Sequence, residues 1–249
     1  MLPILIAVVM DKLDVYDANL KITVNDMPIE RGYPYEYPDK GTPYLPVPDY
    51  LLHTGKNTLH VTFTEVNPKP QHDLDVRLVE LKTLDPQTIT TELVHITAAG
   101  DYTFEVKSTV PAHAYTTSPP IKPAMEAKLK ESAKALAAAW NKTKKLTTTF
   151  EQPRDQNVDR LARWLSHPKL SMDLRADEAA MEIIGNGHLA HLVWQGTLMP
   201  WFIRGGAYDA PAGSMGPVDI QMDVWFRLDS KGNFVPAAVW QVGVAPDRL

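Results

Sequence analysis

Four prolines fall within the thirteen residues from Pro111 to Pro123. Proline fixes φ and removes the backbone donor, so neither a helix interior nor a central strand accommodates that density. The segment is predicted to run as an extended linker. Composition changes across it: all six tryptophans follow it, and eight of the nine tyrosines lie at or before Tyr115. The expected organisation is a first domain over residues 1–112, a proline-rich linker over 113–123 and a second domain over 124–249. No internal repeat is visible.

The first half alternates with a period of two. Leu20, Ile22 and Val24 alternate with Lys21 and Thr23; Leu59, Val61 and Phe63 with His60, Thr62 and Thr64; Tyr102, Phe104 and Val106 with Thr103, Glu105 and Lys107. Each pattern reads as a half-buried strand with one wet face. Leu74–Leu81 and Ile89–Ile96 are further strand candidates. Turns are expected at Asn25-Asp26, Gly55–Asn57 and Ala99–Asp101. Short antiparallel strands with no helical stretch predict a β-sandwich, jelly-roll or Ig-like. The stretch Leu51–Val61, with Gly55, Asn57 and His60 inside it, resembles the pre-strand turn of jelly-roll sandwiches of sugar-binding type.

The second half opens with helix. Met125, Leu129, Ala133, Leu136 and Trp140 share one helix face. A second helix is predicted from Gln156 to Leu165, with Val158, Leu161 and Leu165 on its buried side. Strands follow at Leu189–Gln195, at Met222–Leu228, and at Phe234–Val242 after a hairpin turn at Asp229–Asn233. The fold class expected for the whole sequence is two-domain and mainly β. The first domain is an antiparallel sandwich. The second is an α+β domain with two helices and a curved antiparallel sheet, NTF2-like by analogy of element order.

The sequence has no cysteine, which excludes a disulfide, a thiolate metal site and a cysteine nucleophile. The apolar run Met1–Met10 lacks a basic leader region and is about half the length a bilayer span requires, so a first buried strand is expected and no transmembrane segment. A chain already trimmed of a leader would read the same. The compartment therefore stays open between cytoplasmic and periplasmic or secreted. Residues 1–120 carry nine Lys/Arg against sixteen Asp/Glu, a balance of −7, which argues against nucleic acid as a partner.

Five features could carry chemistry. Gly32–Tyr50 holds five tyrosines, Tyr33, Tyr35, Tyr37, Tyr44 and Tyr50, and five prolines. A stiff aromatic loop of this kind suits a protein surface or a glycan face; the plainer reading is a cover for a sheet edge, its prolines blocking strand addition. His188 and His191, with Glu182 nearby, have a helical metal spacing. A strand after the Gly185-Asn186-Gly187 turn would instead point the two rings to opposite faces. Arg204–Gly216, with four glycines, could cradle an anion or form a lid, or could simply connect two strands. Seven lysines in residues 122–145 offer an acidic partner or a membrane surface a basic helix, or form an ordinary solvated face. Trp194, Trp201, Trp225 and Trp240 could line a pocket around Asp219, Asp223 or His191, or could be core.

No serine elbow, no His-Glu-x-x-His and no phosphate-loop spacing occurs. The leading expectation is therefore a non-catalytic binding or interaction protein, of inhibitor or immunity type among others. It would recognise a protein or glycan partner through the Tyr/Pro loop and the binding residues Trp194, Trp201, Trp225 and Arg204, with no cofactor and no metal. The alternative is a small-molecule pocket enzyme in the second domain, with His188, His191 and Asp223 in general acid–base roles. A third class, a structural subunit of a surface assembly, would self-associate through the apolar N-terminal strand. Oligomeric state is not read from the sequence.

Overall fold

The structure is a computed structural model that describes residues 5–12, 18–29, 44–65, 75–83, 88–146, 150–151, 156–194, 199–205 and 218–246. It is mainly β, with antiparallel sheets and two α-helices among the described residues. None of these helices is long and apolar enough to cross a membrane. Contacts divide the protein into a unit over residues 1–112 and a unit over 113–249.

The first unit holds β1 (Leu5–Lys12), β2 (Ala18–Val24), β3 (Met27–Pro28), β4 (Tyr44–Val47), β5 (Gly55–Glu65), β6 (Asp75–Leu81), β7 (Ile89–Ile96) and β8 (Gly100–Val106). They form two antiparallel sheets, ordered β4-β1-β6-β7 and β3-β2-β5-β8. The period-two patterns place their side chains as expected. Ile22, Val24, Leu59, Val61, Phe104 and Val106 are buried, while Lys21, His60, Thr62, Thr103 and Glu105 are exposed. β1 is central, paired with β4 on one side and β6 on the other, and Ile6–Val9 are all buried. Along Ile6–Val9, both edges of this apolar strand are paired. Pro46 and Pro48 lie in and just after β4 at the outer edge of its sheet, a position where a missing N–H costs no ladder bond.

Two buried asparagines pin this unit together. Asn25 and Asp26 both have positive φ, 51° and 63°, and make the two-residue turn between β2 and β3. Asn25 Nδ2 donates to the Leu51 carbonyl at 2.7 Å and to Asn57 Oδ1 at 2.8 Å, while its Oδ1 accepts from the Thr58 N–H at 3.0 Å. Asn57 Oδ1 also accepts from the His53 N–H, and its Nδ2 donates to the His53 and Gly55 carbonyls. Every donor and acceptor site of the Asn57 amide is thus filled, which is the condition for burying it. The Leu51–Val61 stretch owes its shape to this residue.

The second unit contains α1 (Glu126–Thr143), α2 (Gln156–Ser166), β9 (Leu170–Leu174), β10 (Ala179–Ile184), β11 (Leu189–Trp194), β12 (Trp201–Gly205), β13 (Val218–Leu228) and β14 (Phe234–Pro246). β13 is the organising strand. It pairs with β14 along its whole length, with β12 through Val218–Met222 and with β11 at Phe226; β9 extends from β12 and β10 from β11. Leu129, Ala133, Ala137 and Trp140 of α1 and Val158, Leu161 and Leu165 of α2 pack on one face of this sheet. They meet Met172, Leu192, Trp201, Ile203, Met222, Val224 and Phe226. Gly205 marks the tightest approach: a Cβ there would meet the Lys169 carbonyl at 2.3 Å and Leu170 Cδ2 at 2.5 Å.

The outer strands of this sheet receive hydrogen bonds from the helical segment. Asn141 of α1 donates from Nδ2 to the Met172 carbonyl at 2.8 Å and accepts the Met172 N–H at 2.7 Å, so its amide acts as a further rung on β9. Lys144 Nζ reaches the Leu170 carbonyl on the same strand. Glu126 accepts from Met181 N–H on β10, and the Glu151 N–H donates to the Ala237 carbonyl on β14. The basic face of α1 is occupied with similar work: Lys130 pairs with Glu126 and Lys134 with Asp177, while Lys128 donates to the Gly232 carbonyl.

The proline-rich segment differs from its expectation. It is not a free tether from residue 113 on, because His113, Tyr115, Ser118 and Ile121 are buried within the second unit. Nor is it extended throughout, since Ala114–Thr117 form a 3-10 turn. Three hydrogen bonds dock it: Ile121 N–H to the Gly187 carbonyl at 2.8 Å, the His188 ring to the Ser118 carbonyl at 2.7 Å, and the Ser118 hydroxyl to the His188 carbonyl at 3.4 Å. We expect Asn141→Ala to leave the Met172 N–H and C=O without this partner and to lower unfolding free energy by about 1–3 kcal/mol, read from a denaturant midpoint. Asn57→Ala should cost at least as much by the same measurement, since it strips partners from Asn25 and from His53.

Candidate functional site

Successive residues alternate across a strand, so β13 presents two unlike faces. Met222, Val224, Phe226 and Leu228 face the helices. Asp223, Trp225 and Arg227 face the other way, and on that face lies a histidine that is fully buried.

His191 of β11 is 0% exposed and Asp223 4% exposed. Nδ1 of His191 lies 2.9 Å from both Asp223 oxygens, and Nε2 lies 3.0 Å from Oε2 of Glu182, its register partner on β10. The Trp225 indole N–H donates to Asp223 Oδ2 at 2.7 Å, and the Trp225 ring meets Trp240 edge-on with centroids 5.4 Å apart. Burial alone works against a charged imidazole. The Asp223 carboxylate, through its charge and its hydrogen bond, and Glu182 behind it outweigh that effect and raise the His191 pKa to about 9. At neutral pH the ring is an imidazolium donating from both nitrogens. Both nitrogens are engaged by carboxylates, and the centre ties β10, β11 and β13 together.

A second cluster lies around Phe202 of β12. The Arg204 guanidinium sits 4.0 Å from the Phe202 ring centroid, and that of Arg175 sits 5.9 Å from the same ring and 4.5 Å from Trp194. Trp194 and Phe202 meet edge-on at 6.3 Å. Arg204 also pairs with Asp173 at 3.0 Å, and Arg175 lies 4.0 Å from Glu178. Both arginine side chains keep about a third of their surface in solvent, 34% for Arg175 and 32% for Arg204. Guanidinium groups stacked on indole and phenyl faces are rigid, amphipathic and partly open, the composition that dominates binding surfaces.

The residues expected from sequence separate accordingly. His191, Asp223 and Trp225 come together. His188 does not join them: it lies in the turn before β11 and bonds the Ser118 carbonyl. Trp194 and Arg204 converge on Phe202. Trp201 is 0% exposed in the core, with its ring 5.8 Å from Trp140 and 6.2 Å from Phe226, out of reach of any partner. These rings pack between the helices and the sheet together with Met172 and Met222. Tyr50 is 1% exposed in a short 3-10 turn, so it packs in the first unit and does not present a recognition surface. Tyr33, Tyr35 and Tyr37 lie outside the described residues, as do the side chains of Tyr44 and Asp219 and the connection over residues 206–217. Among the described residues no group of three or more His, Asp or Glu is placed to hold a metal ion. Arg175, Phe202 and Asp173 escape a reading of the sequence. Arg175 precedes a 3-10 turn and carries no periodic signal, and Phe202 belongs to a strand of only five residues.

No protein-family model matches the sequence, and no match is found among the curated proteins or the solved structures.

The folded-state pKa of His191 exceeds its ordinary value of 6.5. The stability contributed by the protonated ring is therefore fully present below pH 6.5 and is lost as the pH rises through about 9. Unfolding free energy measured across that window should fall on the alkaline side, and His191→Gln should flatten the fall. The same variant at neutral pH should lose about 3–5 kcal/mol, because it leaves two carboxylates without their cation.

Proposed function

We propose that this protein is a non-catalytic binding protein whose second unit engages a protein or glycan partner through the Arg175–Trp194–Phe202–Arg204 cluster. The observation that carries the reading is the stack itself: two arginines held over aromatic rings, paired with Asp173 and Glu178, and open to solvent along their edges. Such a surface is already ordered before binding, so little side-chain entropy is lost on contact. The Tyr/Pro loop that precedes Tyr44 belongs to the same reading as a second contact region. In architecture, the proposal treats the first unit as a β-sandwich, jelly-roll or Ig-like, and the second as NTF2-like by analogy, the two being separate domains.

Binding is favoured over acid–base catalysis because the imidazole that would serve as base has both nitrogens committed to carboxylates. His188 is tied to a backbone carbonyl and stands apart.

The test is affinity capture from the native source together with a glycan array, using the full-length protein and the single variants Trp194→Ala and Arg204→Ala. The partner recovered by the unaltered protein should bind Trp194→Ala more weakly by about 2 kcal/mol or more, the range for a central anchor. Undiminished binding by both variants would move the interface elsewhere, and the Tyr35→Ala/Tyr37→Ala pair would then test the loop. Turnover of a substrate by the unaltered protein that disappears in His191→Gln while the fold persists would replace the proposal with the enzyme reading.

A further inference from the structure

The turn joining β10 to β11 holds the only Asn-Gly pair in the sequence, Asn186-Gly187. Asn186 is exposed and lies in the left-handed region at φ 55°, between Gly185 at 62° and Gly187 at 90°. A Cβ built on Gly187 would meet nothing within 4 Å, so the space around this residue is open. The other side of the turn is structural. The Gly187 carbonyl accepts the Ile121 N–H at 2.8 Å, and the next residue, His188, bonds the Ser118 carbonyl. The residue most open to solvent in this turn is thus directly bonded to the residue that anchors the 113–121 segment.

We propose that Asn186 is a site of spontaneous deamidation and isoaspartate formation, and that the modification loosens the 113–121 segment from the second unit. The Gly187 backbone nitrogen attacks Cγ of Asn186, forming the N–Cγ bond of a cyclic imide. The bond between Cγ and Nδ2 breaks, and Nδ2 leaves as ammonia carrying the proton that Gly187 gives up. Water then opens the imide. Attack at Cγ gives aspartate, and attack at the backbone carbonyl gives isoaspartate, in which the polypeptide runs through the Asn186 Cβ and gains a methylene. The balance is asparagine and water in, acid and ammonia out, with no oxidant or reductant.

Asparagine is a thermolabile residue, and a following glycine offers the least hindrance to the attacking nitrogen. Four other asparagines lack these conditions. Asn25 and Asn57 are buried with their amides bonded, Asn141 is bonded twice to Met172, and Asn233 precedes Phe234. The turn spans only the four residues between Ile184 and Leu189, which are paired. An extra backbone carbon there displaces the Gly187 carbonyl from the Ile121 N–H, and a new carboxylate appears beside it.

The experiment incubates the full-length protein in mildly alkaline buffer at physiological temperature. Isoaspartate is located by tandem mass spectrometry and by methyltransferase labelling, and amide exchange at Ile121 is followed in the aged and fresh protein. The expected result is isoaspartate concentrated at residue 186, its loss in Asn186→Gln, and faster exchange at Ile121 only in the aged unaltered protein. Isoaspartate elsewhere, with residue 186 still an amide, overturns the site. Isoaspartate at 186 with Ile121 exchange unchanged overturns its link to the segment. The location in the unaltered protein decides the first point even if Asn186→Gln folds poorly.

Discussion

A strand needs hydrogen-bonding partners on both sides, and a sheet that does not close must find some other cover for its outermost strands. In the second unit this requirement determines where α1 goes. Its Asn141 occupies the free side of β9 with one donor and one acceptor, in the spacing a neighbouring strand would use. Its first residue, Glu126, accepts from β10, and Glu151 beyond its end donates to β14. With those contacts made, the apolar face of α1 can lie only over the middle of the sheet. There Leu129, Ala133, Ala137 and Trp140 meet Trp201 and Phe226. Packing of the core and closure of the edges are thus two readings of one placement.

Each unit also buries a polar centre, and the two do so by different means. In the first, the neutral amides of Asn25 and Asn57 satisfy each other and the surrounding backbone, so no charge enters with them. In the second, a full charge is buried, and it is tolerable because His191 has a carboxylate at each nitrogen and Asp223 has an indole donor besides. The core face is less complete. The Trp140 and Trp201 indole nitrogens are buried with no acceptor among the described residues, a cost that the aromatic packing around them must offset.

Much of the fold is legible in the sequence because its elements have clean periods. Ile22/Val24, Leu59/Val61 and Phe104/Val106 mark their strands by alternation, and Leu129, Ala133 and Trp140 mark α1 by helical spacing. β9, β10 and β12 are not legible: they are five or six residues long, and Ala179-Ala-Met-Glu-Ile-Ile184 shows no alternation at all. The docking of residues 113–121 is hidden for another reason. Prolines exclude helix interior and central strand alike in a segment lying on a surface and in one crossing between domains, and they give no sign of the 3-10 turn at Ala114–Thr117. Within the site, His191, Asp223 and Trp225 stand out by residue type, yet their meeting depends on cross-strand register, which pairs Glu182 with His191 and places Asp223 beside them. Arg175 and Phe202 give no signal of their own, because only the pairing of β12 with its neighbours brings them to Trp194.

The order of synthesis gives the edge contacts a further meaning. Glu126 and Asn141 precede β9 and β10, and Glu151 precedes β14. Each cap is therefore synthesised before the strand it covers. As the ribosome delivers the sheet, every one of these strands emerges to find its cover already present, so the interval in which a bare strand could add to a neighbouring molecule is short. A circular permutant beginning at β9 would reverse that sequence of events. It would keep the same folded contacts yet expose uncapped strands first, and so separate the stability of the finished sheet from the safety of its assembly.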